Sequence, residues 1–295
     1  MKIGYLNKYK SNKSAFFFIL PSIILISAIV IYPLIYSVFI SFYDYNVFDK
    51  VPPFVGLGNY KEIFSSKYFW QSIGRTMYFT VVSVFLELFF GFLIALLLNK
   101  EFKGRAILRT LVILPWALPT VVNGVLWTWI YDPNYGVLNV LLKNLGLISK
   151  YKNWLGTPLS AMNSVIIADV WKNTSFIAIV LLAAMQSIPK DYYEAALIDG
   201  ANKLKIITHI TLPLLRPAML VALVIRTMEA FKVFDIIYIM TKGGPANGTQ
   251  VISYYTYAAS FNFHKFGYGA ALSCIVSVII MLLALMYVKI LYKKV

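Results

Sequence analysis

The chain has 295 residues, of which 60% are hydrophobic, 16% aromatic and only 13% charged. Soluble domains carry roughly 25% charged residues, so too little charge is present to cover a water-facing surface, and a soluble globular enzyme is excluded. A net charge of +15 would suggest nucleic-acid binding in a soluble chain; here it reads as the excess of Lys and Arg in loops on the cytoplasmic side of a membrane.

The composition predicts an all-α, polytopic membrane protein, a single transmembrane domain over 1–295. Six runs are long enough to span, at about 15–43, 76–99, 106–131, 164–188, 213–240 and 267–290, because a helix needs roughly 20 residues to cross a hydrocarbon core of about 30 Å. The first run follows Lys2, Lys8, Lys10 and Lys13. It is longer than the apolar core of a signal peptide, about 7–15 residues, and lacks an Ala-x-Ala cleavage site, so it is expected to stay as a membrane helix. Lys and Arg concentrate in 1–13, 100–109 and 289–294, which places both termini in the cytoplasm.

The segments 44–75 and 132–163 then face outward. The second contains Val137 to Leu142, expected to lie as a short amphipathic helix on the membrane surface. Glu87 is a lone carboxylate in the second span, read as buried and hydrogen-bonded. Pro115 and Pro119 interrupt the third span, whose far end carries Trp127, Trp129 and Tyr131, an aromatic belt. Asp169 and Lys172 sit in the fourth. Cys274, the single cysteine, lies in the sixth, so no intrachain disulfide forms; with His209 and His264 the only histidines, no metal site is expected.

The loop 189–212 carries the most specific pattern. Pro189 disfavours continuing the fourth span, and Asp191 with Glu194 has the spacing of a capping box that restarts a helix. Gly200 suits the left-handed residue that ends it. Leu204, Ile207 and Ile210 form an apolar stripe, and Pro213 is expected to mark the next break. An ordinary helical hairpin fits this spacing, but it has no need of a small Ala195-Ala196 pair beside the acidic Glu194. Small residues let another backbone approach, and a carboxylate offers a partner for Arg.

Glu194-Ala195-Ala196, Gly200 and Ile210-x-Leu212-Pro213 resemble the EAA loop of binding-protein-dependent ABC importer permeases at every position of that pattern. Phe54-Val55-Gly56-Leu57-Gly58-Asn59-Tyr60, Leu114-Pro115-Trp116-Ala117-Leu118-Pro119, Tyr131-Asp132-Pro133-Asn134-Tyr135-Gly136 and Thr241-Lys242-Gly243-Gly244-Pro245 resemble the carbohydrate-uptake branch. That branch includes the larger permeases of maltose and glycerol-phosphate importers. The resemblance covers about 16–290; unlike the maltose-type subunit, this chain lacks extra N-terminal helices and a large external insertion.

The resemblance implies a six-helix permease of the prokaryotic cytoplasmic membrane. It would pair with a second permease chain and two copies of a cytoplasmic ATPase, and receive a sugar or sugar-like solute from an extracytoplasmic binding protein. Glu194, Ala195, Ala196 and Gly200 would form the helix that docks on the ATPase. Family sugar-contacting positions map onto Asp169, Asn173 and Phe176 in the fourth span, and onto Arg226, Ala230 and Val233 in the fifth. Ala230 and Val233 stand where the family has amides and cannot make the same hydrogen bonds. Aromatic faces for a sugar could come from Trp171, Phe176 or Phe231, although aromatics in membrane helices more often pack or anchor.

Arg226, Glu229, Lys232 and Asp235 recur at three-residue steps, placing alternating charges on one helical stripe. A charge facing lipid at mid-bilayer costs about 2.5–3.5 kcal/mol, so these face the bundle, an aqueous path or a partner. One reading is a neutral ladder holding two permeases in register; the other gives Arg226 and Glu229 to a solute path. The sequence has no Gly-x-x-x-x-Gly-Lys-Ser/Thr phosphate loop and no Gly-x-Ser-x-Gly elbow, so no cofactor and no catalytic role are expected in this chain. Two alternatives from other classes are an ion-gradient-driven transporter that uses the charged stripe as a relay, and a membrane enzyme with Asp169 or Glu229 as its carboxylate.

Overall fold

The computed structural model describes residues 16–48 and 51–292. The basic segment 1–13 and Lys293 and Lys294, on which the predicted orientation partly rests, lie outside them. Among the described residues the chain is helical, with two isolated antiparallel bridges, Tyr43 to Phe54 and Asn46 to Lys265. Five helices are long and apolar enough to cross a membrane, and a sixth span exists if one sharply bent pair counts as one.

The contacts divide into two compact units. The first comprises 1–65 and 256–277, the second 66–255 and 278–295. In the first, α1 (Phe16–Ile40) presents an apolar surface with no residue of its most hydrophobic window buried. The short α2 (Gly58–Ser65) is tied to the end of α1 by Asn59, whose amide donates to the carbonyls of Ser41 at 2.8 Å and Tyr43 at 2.9 Å. Gly267 packs against the same turn so closely that a Cβ there would collide with the Tyr43 carbonyl oxygen.

The second unit is built on α3 (Lys67–Asn99) and α7 (Pro158–Gln186), crossed by α9 (Lys203–Phe231). Between α3 and α7 in sequence come α4 (Arg105–Ala117), α5 (Thr120–Ile130) and α6 (Val137–Asn144). Then follow α8 (Lys190–Ile198), α10 (Asp235–Met240), α11 (Ile252–Tyr257) and α12 (Phe266–Tyr292); α11 and α12 contribute residues to both units. Ala95, Leu98, Ile177, Leu181, Met185 and Leu215 form the buried core where α3, α7 and α9 meet. Gly91 lets α3 and α7 approach: a Cβ there would stand 2.5 Å from Ile177 Cγ2.

Several expected elements differ from those observed. The second span starts at Lys67, not 76, because a helix can extend beyond the apolar run that a hydropathy reading detects. The third is no straight span: α4 and α5 meet at 99°. Leu118 precedes Pro119 and is forced into extended backbone, with ψ 136°, which ends α4. The fourth runs over Pro158–Gln186 rather than 164–188. The fifth, expected over 213–240, begins at Lys203 and stops at Phe231, with a short non-helical break before α10.

Pro213 does not break the helix. A π-turn at Ile207–Thr211 precedes it, in which the Leu212 N–H donates to the Ile207 carbonyl. The same device, at Ser27–Ile31, precedes Pro33 in α1. Widening the turn shifts the carbonyls with which a proline ring would otherwise collide, so each helix passes through its proline.

Asn139 of α6 is fully buried. It accepts from the Lys152 N–H at 3.1 Å and the Trp154 indole at 2.9 Å, and donates to the Lys152 carbonyl at 3.0 Å. This helix, expected to lie on the membrane surface, is pinned by that amide to the 152–154 strand of chain.

Candidate functional site

A cavity of about 560 Å³ opens in the second unit where α4, α5, α7 and α9 converge. Trp116 lies in the last turn of α4 and Thr120 begins α5, so both reach it from the 99° bend. Asp169, Lys172 and Asn173 reach it from α7, since residues three and four apart share a helix face. Arg226, Glu229 and Ala230 do so from α9, and the break after Phe231 turns Lys232, Val233 and Phe234 into the wall, followed by Asp235 and Ile236.

Arg226 organises this wall. Its Nε and Nη2 donate to the two oxygens of Glu87 at 2.7 and 2.9 Å, a bidentate pair with both side chains buried. Nη2 also reaches Asp169 at 3.4 Å, and Nη1 donates to Glu229 at 2.6 Å. Burying a guanidinium costs several kcal/mol of hydration; the fork geometry of Arg and the three carboxylates offset that cost. Asp169 accepts from the Asn173 amide at 2.9 Å, and Lys172 donates to the Thr120 hydroxyl at 2.6 Å. Glu229 alone of Arg226's partners is largely accessible, its side chain 52% exposed.

Of the residues assigned to a substrate path from the sequence, Asp169, Asn173, Arg226, Glu229, Ala230 and Val233 all line this cavity. Phe176 does not. It stacks on Trp116, ring centres 6.1 Å apart, and packs on the core. Trp171 turns its ring to Trp127 at 5.8 Å, and Phe231 is buried.

Glu87 is buried and hydrogen-bonded, as its place in the second span led one to expect, and its partner is Arg226. One expectation is corrected. The four-charge stripe is not one helical ladder, because α9 ends at Phe231; Lys232 lies in the break and Asp235 opens α10. Trp116, Thr120 and Lys172 were not singled out as site residues. The prolines around Trp116 and Thr120 were the available signal, since a kink exposes side chains that a straight helix would bury. Among the described residues no cluster of three His, Cys, Asp or Glu side chains has metal-binding geometry.

The second candidate region is α8. Its N-terminus is Pro189, with no side-chain cap, so Asp191 and Glu194 do not form the expected capping box. Its C-terminus closes as a Schellman motif: the Ala201 N–H donates to Ala196 at 2.9 Å and the Gly200 N–H to Leu197 at 3.1 Å. Gly200 takes φ +75°, the left-handed geometry that this motif requires. Asn202 then caps α9, accepting from the Lys205 N–H at 2.9 Å. No residue of α8 is buried; Glu194 and Ala195 are exposed, Ala196 is half-buried, and Ile198 is 86% exposed.

A bundle of apolar helices around an ion-paired cavity, with an exposed capped helix in a loop between two of them, defines a multi-pass membrane permease. Over residues 87–295 the chain matches the family described as the binding-protein-dependent transport system inner membrane component, and it belongs to that family. It is 42% identical to the trehalose/maltose transport system permease protein MalF of Thermococcus litoralis, over 96% of this chain and 95% of that one. It is 36% identical to the sulfoquinovosyl glycerol transport system permease protein SmoG of Agrobacterium fabrum, over 93% and 89%. Its fold superposes with TM-score 0.85 on a chain of a bacterial ABC transporter involved in the import of the acidic polysaccharide alginate, at 26% identity, covering 98% and 99%. These relatives are transport subunits, not enzymes.

Proposed function

We propose that this chain is the permease of an ATP-driven importer for a sugar or sugar-like solute, which an extracytoplasmic binding protein delivers to it. The observation that carries the reading is the joint presence of the two regions: a polar cavity lined from α4, α5, α7 and α9, and an exposed helix bearing Glu194-Ala195-Ala196 on the loop between α7 and α9. The relatives named for trehalose/maltose, sulfoquinovosyl glycerol and alginate support a carbohydrate as solute. Another related structure is of the alginate transporter with a substrate-bound periplasmic protein, which supports delivery by such a partner.

In this reading α8 faces the cytoplasm with Lys190, Lys203 and Lys205, and docks on one of two ATPase subunits through Glu194, its exposed small residues and Ile198. Closure of the ATPases moves α8; α9, joined to it through the Gly200–Asn202 turn, carries that motion to the cavity wall at Arg226–Phe231. A second permease chain completes the path, and hydrolysis takes place on the ATPases, with no cofactor in this chain. The relatives, permeases of binding-protein-dependent transport systems, do not favour the ion-driven alternative.

The test is co-purification in mild detergent of wild type and Glu194→Lys, with sugar uptake into proteoliposomes. Wild type is expected to retain a P-loop ATPase and a second permease; the variant should insert normally, lose the ATPase and lose ATP-dependent uptake. Uptake that persists in the variant removes the coupling role. Uptake that survives without ATP but collapses with the ion gradient removes the importer reading.

A further inference from the structure

We infer that a second pocket, at the end of α7 remote from α8, holds the headgroup of an anionic phospholipid with its phosphate on Arg75. The pocket has a volume of about 460 Å³ and lies between Gln71, Arg75 and Tyr78 of α3, Leu159 and Met162 of α7, and Gly248. The larger cavity balances Lys172, Arg226 and Lys232 against Asp169, Glu229 and Asp235. Here Arg75 is the only charged side chain among the described residues of the lining.

Arg75 and Arg226 are satisfied in opposite ways. Arg226 spends its fork on three carboxylates. Arg75 is in no ion pair among the described residues. Its Nη1 is buried without a hydrogen-bond partner, and its Nη2 has only a long contact to Gln71 Oε1, at 3.5 Å. The Tyr78 hydroxyl is already committed, donating to Asn163 at 2.8 Å. A half-buried cation left uncompensated is costly. The protein side supplies no counter-charge, so it must come from the open side of the pocket.

Position and shape make that counter-charge a lipid phosphate. Arg75 directly precedes the apolar run 76–99, which is just long enough to cross a hydrocarbon core. That places the guanidinium at the boundary, where phosphate is the abundant anion. From the pocket an exposed apolar stripe continues along α3 through Tyr78, Val81, Phe85 and Phe89, at steps that share one helix face. The pocket takes the headgroup and the stripe takes an acyl chain, whereas a free anion would use only the first. A lipid whose phosphate carries its only charge fits best, because no acid lines the pocket to receive an ammonium.

The experiment uses the full-length chain, purified in detergent with the subunits that accompany it and then stripped of lipid. It is titrated separately with phosphatidylglycerol, phosphatidylcholine and inorganic phosphate. Native mass spectrometry counts bound lipid, and thermal unfolding reports the stabilisation that binding brings. Wild type is expected to bind one more phosphatidylglycerol than Arg75→Gln, and to prefer it to phosphatidylcholine by about fivefold or more. Gly74→Leu keeps the charge but adds bulk to the lining at a position where a Cβ meets nothing within 4 Å. It should lose the same lipid, with a lipid-free midpoint no lower than wild type. Binding unchanged in Arg75→Gln removes the role of the guanidinium and overturns the inference. Binding unchanged in Gly74→Leu overturns it too, leaving an arginine that attracts lipid without a pocket. Inorganic phosphate that stabilises wild type as well as phosphatidylglycerol does assigns the pocket to a free anion instead. Loss of an accompanying protein from Arg75→Gln, with bound lipid unchanged, assigns it to an acidic side chain of that partner, and the lipid site falls.

Discussion

The cavity wall and the α8 loop hold charged residues in opposite ways. Arg226 is fixed by carboxylates from two other helices, Asp169 at 57 and Glu87 at 139 residues away in sequence. Glu194 is exposed, and its helix is closed by the left-handed turn at Gly200 and followed by the Asn202 cap. A charge placed by tertiary contacts is inseparable from stability, whereas a charge placed by local capping is free to serve a partner. Mutations in the first region should therefore act on the fold, and mutations in the second on coupling.

The largest effect is expected at Glu87. Glu87→Gln leaves a buried guanidinium with a neutral partner, and breaking a buried pair in this way costs about 3–5 kcal/mol. Asp169 and Glu229 remain in contact, which points to the lower end of that range. Thermal unfolding in detergent should show a markedly lower midpoint, and the double variant Glu87→Leu, Arg226→Met should recover part of the loss. A Glu87→Gln midpoint equal to wild type would mean that Arg226 is not held from α3, and the contrast between the two regions would collapse.

Gly91 comes next. Alanine is the better helix former by about 1 kcal/mol, but its Cβ would meet Ile177 Cγ2 at 2.5 Å and the Ala178 nitrogen at 3.2 Å. Overpacking of that kind costs about 1–3 kcal/mol, so the clash outweighs propensity and Gly91→Ala should lower the midpoint. The same exchange at Gly74, where a Cβ meets nothing within 4 Å, should leave it unchanged or raise it. Equal effects at the two glycines would remove the claim that α3 and α7 need this close approach.

What could be read from sequence follows the same division. The Gly200 turn was legible because left-handed backbone is a local demand that one residue type meets. Asn202, directly before the apolar stripe, carried an equally local signal. The prolines at 115 and 119 announced an interruption but not a 99° bend, since the direction of a kink depends on what the two arms pack against. The Glu87–Arg226 pair could not be read, because nothing in either neighbourhood names the other. Arg226 and Glu229, three apart, were paired correctly from spacing alone, yet Lys232 and Asp235 were added to their stripe by assuming that the helix continued. Resemblance to a family carried the cavity positions that spacing could not; all but Phe176 line the wall.

A smaller and purely local effect is expected at Gly200. Its φ of +75° costs a residue with a Cβ about 1–2 kcal/mol, and no neighbour lies within 4 Å of the added atom, so strain is the whole penalty. Gly200→Ala should shift the midpoint by less than Glu87→Gln and reduce ATP-dependent uptake by altering how α8 leads into α9. Gly200→Asn, which tolerates this backbone better, should restore most of that uptake. If alanine and asparagine behave alike, the conformation is not what Gly200 supplies.

The smallest effect belongs to Asn202. Its side chain satisfies the Lys205 N–H, and replacing such a cap by alanine costs about 1 kcal/mol. The loss falls on the first turn of α9, which precedes the π-turn at Ile207–Thr211 and is far in sequence from the buried wall at Arg226. Amide hydrogen exchange should therefore quicken at 203–206 in Asn202→Ala and stay unchanged through 222–231. Asn202→Ser, another good cap, should reverse the change. Faster exchange that spread to Arg226 would show that the cavity wall depends on the loop's capping, and the separation between a region held by charges and a region held by backbone would no longer stand.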